Sequence, residues 1–374
     1  MQQPRPDQDQ AHAARRLDSA RRLIRSHQFR ESMVVARQPS LRNSGLAGFQ
    51  AALTALIALP LIQLSPWSEL IGYASLGTLA ALFGRFAPRA KRGPIVFYCA
   101  LLQTLTVFTM STIAWAGASP ELQILLLALA CGFFFVISTV GEFGPPGALI
   151  FIFAGSVAMG PADTFGTVLE RTLATGATAL LAWLICLLTE TFRHGAAGGS
   201  LPQEPPRPLS HRLIAVARII VGSAVAAFTA YYLGAENPGW AAMGALAVMQ
   251  GAHLHISFNR AIQRMAGTAI GAALVYLALI YEPSVWAVIP LLLLLTIGTE
   301  MIIGSNYGLG QILVTPMALL MSYLASPDAA GAGMVEERVL DTMIGIVIGV
   351  VLSELASTLD DRVYLAHHDA NRMK

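Results

Sequence analysis

Two arginines and three acids sit where an otherwise apolar chain of 374 residues has little reason to carry charge. Arg171 and Arg338 lie just inside apolar runs, Asp341 follows Arg338 by three residues, and Glu142 and Glu300 each close an apolar run before a glycine-containing break. A guanidinium presents a planar fork of N–H donors that matches a carboxylate, and a carboxyl group in apolar surroundings holds or releases a proton as its neighbours change. At i,i+3 on a helix, Arg338 and Asp341 share a face about 4.5 Å apart along the axis. They can form a local ion pair, and an anion competing for Arg338 would then favour protonation of Asp341. Arg171 finds no acid at Thr167, Val168, Ala174 or Thr175, the positions its own helix can present to it. It either snorkels to the interface or offers its fork to an organic anion. A carboxylate at a helix C-terminus opposes the macrodipole, so Glu142 and Glu300 need a partner or a function. Arg92 is the expected partner in one half and Arg260 or Arg264 in the other, forming an inner latch or a proton site.

Uncharged groups complete the candidate lining. Trp240, Gln250, Asn306, Tyr307, Gln311 and Thr315 fall on short or glycine-interrupted apolar segments, and Pro316 frees a backbone carbonyl one turn back. For Gln250 and Gln311 the competing reading is a hydrogen bond between helices. The pairs Gly267/Gly271 and Gly345/Gly349 read as close-packing faces. The three cysteines lie inside apolar runs, and His253, His255, His367 and His368 have no acid or cysteine at ligand spacing. No cofactor or metal is expected. Neither a nucleophile motif nor a phosphate-binding loop is present, so the chain reads as no enzyme, and transport would run on an ion gradient or the substrate's own.

The elements that must position these residues follow from composition. Hydrophobic residues make up 55% of the chain and charged ones 12%, with a mean hydropathy of +0.60; this is the profile of a polytopic membrane protein whose surface faces lipid. A formal net charge of +2 gives no field for nucleic acid. Apolar runs near 44–64, 70–84, 95–116, 121–140, 147–160, 171–190, 212–233, 239–252, 265–281, 284–302, 308–324 and 338–357 predict about twelve transmembrane helices. Spans two, five, eight and eleven are the short ones. Nine arginines precede the first run, and alternation puts every one of the 24 Lys and Arg on that side except Arg171 and Arg338. Basic loops stay in the cytoplasm, so both termini are expected there, in a bacterial inner membrane. Trp67, Trp115, Trp240 and Trp286 then fall at outer ends, where tryptophan anchors to headgroups. The basic stretch Ala14 to Arg25 is expected to meet anionic lipid.

The chain is also doubled. Glu170-Arg171 matches Glu337-Arg338, Glu190 matches Glu354, and Pro66-Trp67 matches Pro238-Gly239-Trp240. Two six-helix repeats in parallel orientation result, at 42–192 and 212–358, with a basic segment 1–41, a linker 193–211 and a tail 359–374.

The stretch Pro238 to Gln250, followed by Arg264-x-x-Gly267-Thr268-x-x-Gly271, with Asn306-Tyr307, Thr315-Pro316 and Glu337-Arg338-x-x-Asp341-Thr342, resembles the fusaric acid resistance and aromatic acid exporter family. The resemblance covers about 212–358, and by repeat 42–192. It implies a secondary transporter exporting organic anions or aromatic and amphipathic compounds, coupled to protons. The alternative is an anion channel, because these proteins are similar in helix arrangement to plant malate channels. On that reading the substrate contacts are Arg171, Arg338, Asn306, Tyr307, Gln311, Gln250 and Trp240, the proton-coupling acids Asp341, Glu300 and Glu142, and the gate motif Arg264, Gly267 and Thr268. The partners are the bilayer, a small organic anion and protons. Oligomeric state is left open.

Overall fold

The computed structural model describes residues 19, 22–23, 26–194, 209–251, 253–325, 332–357 and 361–366. Among them the chain is helical throughout, with no strand. After a short helix at Ser26–Ser32 come α1 (Leu41–Gln63), α2 (Ile71–Thr78, continued by a 3-10 turn Leu79–Leu82), α3 (Arg89–Trp115), α4 (Pro120–Val140), α5 (Leu149–Val157) and α6 (Phe165–Leu188). Then follow α7 (Leu209–Tyr232), α8 (Gly239–Met249), α9 (Leu254–Ile280), α10 (Val285–Ile303), α11 (Tyr307–Ala325) and α12 (Ala332–Leu355).

Local chemistry explains the helix starts. Ser40 and Thr164 accept the backbone N–H three residues on, at 3.2 and 3.1 Å, and Ser119 does so ahead of Pro120, whose missing N–H costs nothing in the first turn. Eight helices, α1, α3, α4, α6, α7, α9, α10 and α11, are long and apolar enough to cross a membrane. Their outer faces expose large apolar residues such as Leu61, Phe133, Leu173, Leu277 and Leu294, a surface suited to the hydrocarbon of a bilayer. The protein is thus a multi-pass membrane protein. Every residue of α2 and of α8 is buried, as is most of α5. Protein rather than lipid surrounds these short helices, which is the condition for a helix end to survive at membrane depth.

Two expectations about length change. The eleventh apolar run is a full helix of 19 residues, not a short one, and the twelfth begins at Ala332, so Arg338 stands nearly two turns in, about 9 Å from the helix start.

Packing follows small residues. The short helices lie against the sixth and twelfth helices, α2 on α6 and α8 on α12. A Cβ on Gly77 would stand 2.5 Å from the Thr175 carbonyl, and one on Gly244 2.8 Å from that of Thr342, so glycine is what lets each pair close. Likewise α3 packs on α6 and α9 on α12, while α1 lies against α10 and α7 against α4. The Ser26–Ser32 helix docks on α9, Phe29 edge-on to Phe258 at 6.1 Å and Gln263 donating to the Ser32 carbonyl at 2.6 Å. Most of Ala14 to Arg25 lies outside the described residues.

Candidate functional site

Between the two sets of helices lies a cavity of about 500 Å³, the size of small-molecule sites. Exposed Pro39, Thr139 and Pro145 border it on the side of the arginine-rich loops, and buried Trp240, Met243 and Arg338 close its far end.

At that far end Trp240 stacks on Phe153 at 5.5 Å, and the Arg338 guanidinium stands 3.7 Å over the indole. Because α12 starts early and packs on α8, Arg338 is carried over the ring that opens α8. Its Nε and Nη1 have no hydrogen-bond partner. It neither snorkels nor pairs with Asp341: among the described residues no acid lies within ion-pair distance of it. Asp341 is buried, with Oδ2 unpartnered, but does not line the cavity. Trp240, expected at the headgroups, is 3% exposed, whereas Trp67, Trp115 and Trp286 are between 44% and 52% exposed.

Midway, Arg264 donates to the Tyr307 hydroxyl at 2.9 Å. Gly267, one turn on, brings α9 against Gly308 and Gln311, and Thr268 is buried beside it. Gln250 and Gln311 face the cavity with their amide nitrogens unpartnered, so neither makes the interhelical hydrogen bond that was the competing reading. Nearer the mouth stand Arg260 and, in the loop after α2, Arg85. Arg85 forms a buried ion pair with Glu300 of α10. Burial draws its guanidinium down from its usual value to about 10. Glu300 therefore pairs with a loop residue following α2, not with Arg260 or Arg264.

Several expected contacts lie elsewhere. Arg171 donates to the Gly160 carbonyl at 2.9 Å and to that of Pro161, over the Tyr73 ring, so it reaches out of its helix to loop carbonyls and not into the cavity. Asn306 donates to the Ser32 and Val34 carbonyls at 3.2 and 3.0 Å and caps Leu309, which makes it a strut for the amino-terminal segment. Thr315 bonds back to the Gln311 carbonyl. Glu142 is exposed and pairs with Lys91 at 2.9 Å, because Arg92 turns inward to Glu190 at 3.3 Å and to Gln50 at 2.5 Å. His253 and His255 stack with Tyr364, and His367 and His368 lie outside the described residues. Among the described residues no three His, Cys, Asp or Glu are grouped to hold a metal.

The described lining thus holds four guanidiniums, Arg85, Arg260, Arg264 and Arg338, against one carboxylate, Glu300. Apolar walls, a stacked aromatic floor and excess positive charge suit a flat molecule with one anionic group. Arg85 and Phe153 escaped the sequence reading: Arg85 has the signal of any inward loop charge, and Phe153 that of any apolar span.

Residues 225–352, which supply Trp240, Arg264, Glu300, Tyr307 and Arg338, match the family model described as fusaric acid resistance protein-like. Over these residues the chain is similar to fusaric acid resistance protein-like proteins. It is also 32% identical over 112 residues to the uncharacterized membrane protein YvaC of Bacillus subtilis (strain 168), across 30% of this chain and 18% of that relative. The chain therefore spans about a fifth of the curated relative it matches. No solved structure matches. The matched segment accounts for the far end and one wall; Arg85 and Phe153 come from outside it.

Proposed function

We propose that this protein is a secondary transporter that takes aromatic organic anions from the cytoplasmic side of a bacterial inner membrane and exports them. The carrying observation is the far end of the cavity, where an unpartnered, buried guanidinium lies over a stacked indole. Such a site holds a ring by stacking and its acid group by the fork, and leaves a neutral analogue's polar group without equivalent attraction. The mouth opens among the basic loops that the positive-inside rule assigns to the cytoplasm. An anion leaving a negative interior gains about 2.3 kcal/mol per 100 mV.

We read the helices as two six-helix halves. Support comes from packing: α2 on α6 has its counterpart in α8 on α12, α3 on α6 in α9 on α12, and α1 on α10 in α7 on α4. Proton coupling falls to Glu300, the acid in the cavity wall, rather than to Asp341 or Glu142.

Flux of benzenesulfonate from liposomes containing the purified protein tests this reading. A sulfonate stays ionised and does not leak through lipid as a neutral acid, so the measured flux belongs to the protein. Saturable flux absent for benzenesulfonamide is expected, and flux equal to that of protein-free liposomes refutes the proposal. Unitary currents that do not saturate would replace the transporter with the anion channel.

A further inference from the structure

The only ion pair in the cavity wall, among the described residues, joins the halves. Arg85 comes from the loop after α2 and Glu300 from α10, and both are buried. The other three guanidiniums of the lining have no acid opposite them: Arg338 lies on Trp240, Arg264 holds the Tyr307 hydroxyl, and Arg260 stands nearer the mouth.

The backbone that carries Arg85 is held from behind. Gly84 donates its N–H to the Phe143 carbonyl at 3.1 Å. Arg193 donates to the carbonyls of Arg85 and Ala87, and is itself paired with Glu190 at 2.8 Å, whose other oxygen holds Arg92. None of these contacts involves Glu300. The guanidinium is thus aimed at the cavity by the first half, whatever occupies it. Glu300 reaches it from a helix packed so closely on α1 that a Cβ on Gly48 would stand 3.1 Å from the Glu300 Cβ. A pre-aimed cation with a carboxylate already on it, in a chamber otherwise rich in bare guanidiniums, has the geometry of an occupied anion site.

We propose that Arg85 is a second anion-binding residue, masked in the empty cavity by the Glu300 carboxylate, which acts as a built-in counter-anion that substrate displaces. This rests on the anion-binding reading of the cavity and adds to it. An entering carboxylate or sulfonate meets Arg85 before Arg338, because Arg85 stands nearer the mouth. It must outcompete Glu300 there and is repelled by it, so the pair sets affinity from the cytoplasmic side. Anions too weakly basic or too bulky to replace a carboxylate on that fork gain nothing from Arg85, which makes the pair a selectivity element as well as a tie between halves.

Equilibrium titration of the full-length purified protein with benzenesulfonate separates the possibilities. Glu300→Gln should bind about tenfold tighter than wild type, because the repelling charge is gone and Arg85 is free. The double variant Arg85→Gln, Glu300→Gln should lose that gain. Removing one partner of a buried pair can impair folding, so Glu300→Asp, which keeps the charge but withdraws it by one methylene, supplies a second reading with the same sign and a smaller size. Wild-type binding that Glu300→Gln and Glu300→Asp leave unchanged or weaken overturns the masking proposal alone and makes the pair structural. Failure of wild type and every variant to bind overturns the anion-binding reading with it.

Discussion

On the proposed two-half reading, Arg171 and Arg338 occupy matching places, each after a glutamate and each near the start of the last helix of its half, yet they have opposite fates. Both lie over an aromatic ring presented by the short helix of their own half, Tyr73 for Arg171 and Trp240 for Arg338. Arg171 is then drawn away by the Gly160 and Pro161 carbonyls. Arg338 is left over its ring with two nitrogens unpartnered. The buried arginines of the third and ninth helices differ in the same sense. Arg92 is enclosed by Glu190, Gln50 and the Ala81 carbonyl, whereas Arg264 meets one tyrosine hydroxyl and opens on the cavity. In both comparisons the amino-terminal arginine is held by structural contacts, and its carboxy-terminal counterpart opens on the cavity.

The sharpest way to break this comparison is through stability. Arg92→Ala leaves Glu190 to Arg193 alone, takes the buried charged donor from Gln50 and the Ala81 carbonyl, and should cost about 3 kcal/mol, measured by unfolding in micelles. Arg264→Ala, which strands only a hydroxyl, should cost about 1 kcal/mol. Equal losses would mean that both arginines are structural. Binding gives the next largest effect: Arg338→Gln should weaken benzenesulfonate about 100-fold, and Arg171→Gln should change it less than about twofold. A large effect at Arg171 would restore it to the substrate path. The smallest effect concerns the rings. Trp240→Leu should weaken binding about tenfold by removing the stacking face, while Tyr73→Leu should leave it unaltered. Similar changes at both rings would show that the aromatic floor acts through packing alone.

Much of the site was legible because charge in lipid is costly enough to be conspicuous. Arg338 and Glu300 stood out by type and by their place in apolar runs, Arg264 through the motif that carries the resemblance, and Trp240 through its short span, before any packing was known. Their partners did not. Arg85 pairs with Glu300 across 215 positions of sequence, the difference between their numbers, and no periodicity relates a residue in the loop after α2 to one on α10. Glu142 and Glu300 look alike in sequence, each at the end of an apolar run, yet one is exposed beside Lys91 and the other is sealed in the cavity wall. The reading of Arg338 and Asp341 as a local pair failed because a shared helix face permits contact without requiring it; α8 offered the guanidinium a ring instead.

The sequence by itself determined that the chain is helical and lies in a membrane, where most of its helices begin and end, and which charged residues are too deep to be incidental. Those properties depend on local quantities: the free energy of transferring a side chain into hydrocarbon, the capping of a backbone N–H, the missing N–H of proline. Only the tertiary structure decided which of those charges face one another, because helix packing sets rotation and register through side chains far apart in the chain. Glycines at Gly77 and Gly244 let α2 close on α6 and α8 on α12, and the partners met there differ. That difference turned one arginine outward to loop carbonyls and left its counterpart over an indole at the end of a cavity.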